Sequence, residues 1–261
     1  MKNLFRIRGN ISKKAYMTGM LLTFAVIIAA WIIVTQFGLV KPLFLPSPAD
    51  VISEFLSVLK SGDLLENTWI SIYRILIGFI LAVILAIPIG ILVGSFKIYE
   101  SIFQPIAEFV RYMPVPAFLP LIMVWVGIGE GAKITVVFLG TYFQLMLMVA
   151  DVIRDIPIDL LNSAYTLGAT KRQIITKVIL PAMGPRTLDA CRMMFGSAWT
   201  YLVVAELVAA SSGLGFSILN AQRFLQTSYM FVGILVIGVL GFISDRLFVF
   251  AGKKIFAWAE D

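Results

Sequence analysis

Six long apolar runs constrain this chain more than any other feature; they lie at about 17–38, 68–94, 103–127, 133–151, 187–210 and 229–251. Each is long enough to cross the hydrocarbon core of a bilayer, which takes about 20 helical residues. The chain is 60% hydrophobic and 14% charged, against roughly 45–50% and about 25% in soluble domains. Nothing is left over for a large soluble domain. The expectation is an all-α polytopic membrane protein, with residues 1–261 forming a single transmembrane domain. Lys2, Arg6, Arg8, Lys13 and Lys14 precede the first run. That run exceeds a signal-peptide core and has no small-residue cleavage site after it, so it reads as a signal anchor and first span. The third run contains Pro114, Pro116 and Pro120, and is expected to be kinked or broken.

Side-chain chemistry narrows the function. There is no histidine and a single cysteine, Cys191. That removes His-based nucleophile pairs, His-based metal sites and any intrachain disulfide framework; no metal site is expected. The formal charge is +6. The basic residues sit beside the spans, so the charge reads as topology rather than nucleic-acid binding. Arg154, Lys171, Arg172, Lys177 and Arg186 fill the 152–186 loop, and Lys253 and Lys254 the tail, whereas Lys41, Lys60, Lys133 and Arg223 are all that the opposite loops carry. This bias, with an even number of spans, puts both termini and the 152–186 loop in the cytoplasm. On the outer side Ser47 reads as a helix cap, Pro48 as a first-turn residue and Asp50 as a dipole partner. Val51, Ile52, Phe55, Leu56 and Leu59 then give one apolar face, for an amphipathic helix on the outer surface or against the bundle.

The polar stretch from Asn162 to Ala182 stands out between apolar helices. It reads as a helix over Asn162–Leu167, a break at Gly168-Ala169, a second helix over Thr170–Ile179 and a stop at Leu180-Pro181. Ser163, Ala164, Tyr165 and Thr166 form a small-residue face with one aromatic anchor, the type of surface that enters a partner's groove. The competing view is an ordinary amphipathic connection.

Here the chain resembles a known family. Asn162-Ser163-Ala164-Tyr165-Thr166-Leu167-Gly168-Ala169, followed by Val178-Ile179-Leu180-Pro181, is similar to the EAA loop of ABC importer permeases. Asn162 and Ser163 replace the usual Glu and Ala. The likeness extends to Leu45-Pro46-Ser47-Pro48, Ser71-Ile72-Tyr73-Arg74, Gly78, Pro88-Ile89-Gly90, Gly94, Arg111-Tyr112-Met113-Pro114, Gly127-Ile128-Gly129-Glu130, Ala205-Glu206 and Gly213-Leu214-Gly215. Together these resemble the nitrate, sulfonate, taurine and bicarbonate branch. The resemblance implies a type I ABC importer permease fold in the inner (plasma) membrane of a bacterium. It implies a permease subunit moving a small anionic solute inward by alternating access. Asn162 to Ala169, with Lys171 and Arg172, would dock on ABC ATPase subunits that carry the ATP and Mg. A second permease copy and a periplasmic or lipoprotein solute-binding protein would complete the assembly. The permease itself would make and break no bond and hold no cofactor.

Ionisable residues in spans are expensive and often functional. Arg74, Glu108, Arg111 and Glu206 are the candidates for the translocation pathway. Met113 and Pro114 join them because a proline break exposes backbone N–H groups to an anion. Glu108 and Arg111, three apart, are spaced to pair with each other, as are Asp189 and Arg192; self-neutralisation at the interface is the competing view. Gly127 to Lys133 fails as a phosphate-binding loop, because Ala132 and Ile134 flank the lysine, and reads as a flexible outer turn. Trp125 and Trp199 read as packing or gating residues, and Met146, Met148, Met193 and Met194 as core or lipid-facing. Two other functions compete: a gradient-driven secondary transporter, which needs intramembrane acids, and an intramembrane enzyme, which needs a nucleophile or metal site. Neither gives the 152–186 loop a task.

Overall fold

The computed structural model describes residues 12–259, and the regular elements among them are all helical. Lys2, Arg6 and Arg8 of the basic arm lie outside the described residues. Four helices are long and apolar enough to cross a membrane: α1 (Lys13–Gln36), α3 (Asp63–Ser95), α6 (Glu130–Arg154) and α11 (Thr227–Ile255). The run expected at 187–210 belongs to α9 (Leu180–Ala209), which is 30 residues long but carries Arg186, Asp189, Arg192 and Glu206 and does not qualify by apolarity. The run at 103–127 is not one straight span. It is α4 (Lys97–Arg111), a 3-10 turn (Val115–Phe118) and α5 (Leu119–Val126), bent by 93° at the break. The bend falls at Tyr112 to Pro114, where the proline ring and missing N–H stop the helix.

Helix α3 packs along α6 through a stripe of small residues spaced by four: Gly78, Ala82, Ala86, Gly90 and Gly94. In a bilayer, small residues let helix backbones approach closely, so that packing replaces the absent hydrophobic drive. A Cβ added at Gly78 would lie 2.8 Å from Val137 Cβ, one at Gly90 2.8 Å from Met146 O, and one at Gly94 2.8 Å from Ala150 O. The opposing atoms at Gly90 and Gly94 are backbone and cannot step aside. Gly90→Val is therefore expected to lower the stability of the detergent-solubilised protein by about 1–3 kcal/mol through overpacking. An unchanged melting temperature would contradict this close approach.

Helix α9 lies against the other side of α6, and Ile75, Phe79, Val137, Leu145, Met194, Phe195 and Leu202 form the core between the three helices. Phe79, Phe195 and Phe248 meet edge-on or tilted, tying α11 to this core. The outer helix is α2 (Pro48–Ser61), and it starts as its sequence indicates. Ser47 Oγ accepts from Asp50 N at 3.2 Å while Asp50 Oδ2 accepts from Ser47 N at 3.1 Å. It lies against the bundle, with Val51 and Val58 buried beside α11, while Ile52, Phe55 and Leu59 border an apolar groove. The polar segment after α6 holds α7 (Ile158–Thr166), α8 (Lys171–Ile174) and a π-helical turn (Ile175–Ile179). The expected stop at Leu180-Pro181 is absent: the chain runs on into α9, with Pro181 in its first turn. There the missing proline N–H is tolerated, and the wider π turn absorbs the register change. A short α10 (Leu214–Arg223) separates α9 from α11.

Candidate functional site

Three constructions in the fold bear on function. The first is the α7–α8 corner. None of the α7 residues is buried. Asn162, Ser163, Tyr165, Thr166 and Gly168 are exposed, and Leu167 is 87% exposed. Ala164 and Ala169 are half-buried against the core and anchor the corner. Gly168 has φ +77°, a left-handed conformation that glycine adopts without a Cβ penalty. Its N–H donates to Tyr165 O at 2.9 Å and Ala169 N–H to Ala164 O at 3.0 Å, the paired bonds of a Schellman ending. Thr170 then starts α8: its Oγ1 accepts from Gln173 N at 3.4 Å, and Gln173 Oε1 accepts from Thr170 N at 2.8 Å. Both helix ends are thus fixed by local bonds, and the corner stands out with Tyr165, Leu167, Lys171 and Arg172 facing outward. Arg186 pairs with Asp155 at 3.1 Å and Arg154 with Asp151 at 2.9 Å, bracing the helix ends that flank it.

The second construction is a buried charge cluster around Arg74. Asn67, Ser71 and Arg74 share one face of α3, at the i, i+4, i+7 spacing. Arg74 and Glu206 are both 0% exposed. The Arg74 Nη1 group donates to Glu206 Oε1 and to Ser212 O, both at 2.7 Å. Nε donates to Glu130 Oε2 at 2.5 Å, and Nη2 donates to Glu130 Oε1 at 2.7 Å and Ser212 Oγ at 3.1 Å. All five guanidinium N–H donors are used. Glu206 also accepts from Ser71 Oγ at 2.8 Å and Gly215 N at 2.8 Å. Lys133 Nζ reaches Glu130 Oε1 at 2.8 Å, so two cations face two carboxylates. Gly213, at φ +106°, brings the turn between α9 and α10 against the cluster, where a Cβ would collide with Glu206 and Arg74.

This arrangement corrects two expectations. Arg74 and Glu206 do not present charge to a cavity; they are saturated by each other and by neighbours, and they clamp α3, α6, α9 and the α9–α10 turn together. The stretch from Gly127 to Lys133 is not simply a flexible outer turn, because Glu130 and Lys133 open α6 and complete the cluster. Sequence reasoning missed Glu130, Lys133, Asn67 and Ser212. The polar stripe Asn67-Ser71-Arg74 on an apolar helix was the available signal, and it called for acids elsewhere without saying which.

The third construction is a cavity of about 650 Å³ between α4, α5, α6 and α9. Arg111, Met113 and Trp125 line it, with Phe118, Phe143, Gln144, Met148, Met193, Met194, Ser197 and Tyr201. Pro114 and Glu108 are not among the lining residues. The expected Glu108–Arg111 pair does not form: Glu108 Oε1 accepts from Gln104 Nε2 at 2.7 Å, while Arg111 donates to Tyr112 Oη at 3.0 Å and lies over that ring. Both residues lie within α4, but each takes a nearer partner: Glu108 the Gln104 amide one turn back, Arg111 the hydroxyl and ring of Tyr112. Arg192 prefers Asp245 on α11, at 2.5 Å, to Asp189 at 4.0 Å. Met148 and Met194 line this cavity as well as packing in the core, and exposed Met193 lines it too.

Residues 75–256 match the family described as binding-protein-dependent transport system inner membrane component. A probable ABC transporter permease protein of Brucella abortus is 38% identical over 249 residues, 94% of this chain and 98% of that one. The taurine transport system permease protein TauC of Escherichia coli is 34% identical over 228 residues, 85% of this chain and 83% of that one. Among solved structures, an inward-facing conformation of the MetNI methionine ABC transporter superposes with a TM-score of 0.63 at 22% identity, covering 75% of this chain and 95% of that one. That likeness concerns the fold.

Proposed function

The chain belongs to the family of binding-protein-dependent transport system inner membrane components, and from that premise we propose how it works as the permease of an ATP-driven importer. Membership makes it a multi-pass membrane transport subunit that acts with an ATPase and a solute-binding protein, and it decides against a gradient-driven secondary transporter. In our reading two copies of the chain face each other around a shared pathway. Phe109, Tyr112 and Trp125 are exposed near the bend of α4 and α5, and a second copy would cover them. The α7–α8 corner of each copy sits in a groove of an ATPase subunit. Those subunits bind ATP and Mg, and closing on ATP they draw the two corners together and turn the cavity outward. The solute-binding protein then delivers solute, and hydrolysis returns the cavity inward. The permease performs no bond chemistry of its own, and both termini lie in the cytoplasm with the corner.

The solute is a small anion, within the range of nitrate, sulfonates, taurine and bicarbonate. Arg111 at the cavity supports an anion, and the taurine relative supports the same class. With Arg74 and Glu206 locked in the buried cluster, the pathway assignment rests on Arg111, Met113 and the residues facing them.

The observation that carries the coupling role is the α7–α8 corner, fixed by the Schellman bonds that end α7 and the capping box that starts α8, which holds exposed Tyr165 and Leu167 outward. An exposed leucine and tyrosine on a rigid corner are the anchors a groove would bury. The test is affinity purification of the permease from native membranes. ATPase subunits are expected to co-purify with the unaltered chain. Tyr165→Ser combined with Leu167→Ser is expected to reduce their recovery by about tenfold or more at unchanged permease yield. Full recovery with the double variant would overturn the docking assignment.

A further inference from the structure

Helix α4 runs between the docking corner and the α4–α5 bend, and it is built as a rod with a joint at each end. Phe96, before it, is extended at φ −133° and ψ 123°. Pro114, after it, is extended at φ −64° and ψ 114°. Hinges are a few residues at element ends that absorb a change in backbone angle. Between its joints α4 is thinly held. Of its 15 residues Ala107 alone is buried, and Ile98, Ile102, Ile106 and Phe109 are exposed. A helix with so few buried apolar contacts belongs to the low-stability part of a fold, from which moving elements are drawn.

One face of α4 is polar along its whole length. Lys97, Glu100, Gln104, Glu108 and Arg111 recur at three- and four-residue steps and so lie in one row. Lys97 pairs with Glu100 at 2.7 Å within the row. Among the described residues, the one polar partner this row finds on another helix is Arg154, the last residue of α6. Its Nη2 donates to Gln104 Oε1 and lies 3.6 Å from Glu100 Oε1, while Nη1 donates to Asp151 Oδ1 at 2.9 Å. The Gln104 amide in turn donates to Glu108 at 2.7 Å, so the row is braced from Arg154 to within a turn of Arg111. Asp155, next in the chain, pairs with Arg186 of α9 at 3.1 Å, and Ile156 and Pro157 lead into α7. Two adjacent residues at the end of α6 thus reach different helices, Arg154 to α4 and Asp155 to α9. Beside them lies a cavity of about 730 Å³, lined by Phe96 at the first joint of α4 and by Tyr165 and Lys171 of the corner. The corner has room to approach that joint without displacing packed side chains.

We infer that Arg154 is a positioning residue that passes displacement of the α7–α8 corner to α4, which swings between Phe96 and Pro114 and carries the α4–α5 bend with it. The inference rests on the permease reading above and adds the route from corner to bend. Packing alone would let α4 slip along α6, because one small residue anchors it. A guanidinium fork that holds an amide and faces a carboxylate resists that slip in direction as well as in distance. The extended joints then allow an angle change at both places where the helix stops. A residue that merely steadied the end of α6 would leave α4 moving with the corner after its side chain was removed. Coupling between two places requires an element with two arrangements that both places bias, and the arrangements of α4 can be read directly.

The test uses the full permease–ATPase complex in lipid nanodiscs, with Cys191→Ser and one spin label per copy. Ser101→Cys labels the exposed side of α4; Lys177→Cys, in a separate protein, labels the π turn beside the corner. Copy-to-copy distances are measured by pulsed electron paramagnetic resonance, without nucleotide and with Mg-ATP trapped by vanadate. With Arg154 present, both distances are expected to shift on trapping. Arg154→Ala is expected to keep the corner shift and to reduce the α4 shift about twofold or more. Arg154→Lys, which keeps the charge without the fork, should fall between. Glu100→Ala with Gln104→Ala removes the tie from the other side and should match Arg154→Ala, and combining all three should add no further loss. An α4 shift unchanged by Arg154→Ala would overturn the inference. So would a corner shift without an α4 shift when Arg154 is present, or the loss of both shifts in Arg154→Ala, which would make the residue part of docking. A corner that does not respond to nucleotide when Arg154 is present would overturn the permease reading and this inference with it.

Discussion

Glu206→Ala is expected to destabilise the protein by about 3–5 kcal/mol, the range found when one partner of a buried ion pair is removed. Three features put it there. The carboxylate is completely buried and accepts from Arg74, Ser71 and Gly215. Its loss leaves Arg74 and Lys133 facing Glu130 alone, an excess of one positive charge with the Arg74 and Lys133 side chains still buried. It also orphans the hydroxyl of Ser71 and the N–H of Gly215, each of which carries its own desolvation cost. Glu206→Gln keeps the shape and one acceptor, and should fall between the two. Replacing Arg74 and Glu206 together with methionine removes the unmatched charge, and is expected to recover part of the loss, because apolar replacements of whole buried pairs are often neutral. Glu130 keeps Lys133 in that variant. Thermal unfolding in detergent, compared across the four proteins, reads the order directly. A Glu206→Ala protein as stable as the unaltered one would mean that the cluster is not the clamp its geometry describes. The pair lies out of reach of solvent ions, so added salt should change the result little.

The helices were legible in the sequence because apolar runs of bilayer length have few other outcomes. The cap at Ser47-Pro48-Asp50 and the reversal at Gly168 were legible for a related reason: each is a local bond pattern completed within a few residues. Arg74 was not legible in the same way. Its partners Glu130 and Glu206 lie 56 and 132 residues away, and a charge in a span looks alike whether it awaits a solute or an acid from another helix. Glu108 and Arg111 erred in the opposite direction. Their spacing placed both on one face of α4, but Gln104 and Tyr112 offered competing partners that the three-residue spacing did not weigh. Pro181 looked like a stop because proline rules are stated for α-helical hydrogen bonding, whereas the turn before it is π-helical. Gly78, Gly90 and Gly94 drew notice as parts of a family pattern. Their physical reason, backbone contact with α6, needed coordinates.

Gly168→Val is expected to abolish most uptake while leaving the bundle folded. The reason lies in what surrounds the residue. No atom lies within 4 Å of where a Cβ would stand, so bulk alone meets no obstacle. The penalty is one of backbone: φ is +77°, and a side chain in the left-handed region costs about 1–2 kcal/mol, with a β-branched one the least tolerant. The chain can relieve that strain by leaving the Schellman bonds to Tyr165 and Ala164, and α7 would then leave its fixed angle to α8. A penalty of that size reduces the population of the docking geometry by roughly 5- to 30-fold, and in a dimer both corners bear it. Core packing is untouched, so the melting temperature should move little. Gly168→Asn is the discriminating control, because asparagine adopts the left-handed conformation more readily than other residues. It should retain most ATPase recovery and uptake, with Gly168→Ala falling between Asn and Val. The order Gly, Asn, Ala, Val in solute uptake by proteoliposomes would tie coupling to the backbone angle at one residue. Equal activity of all four would show that the corner tolerates reorientation, and would remove the rigid frame on which the docking proposal depends.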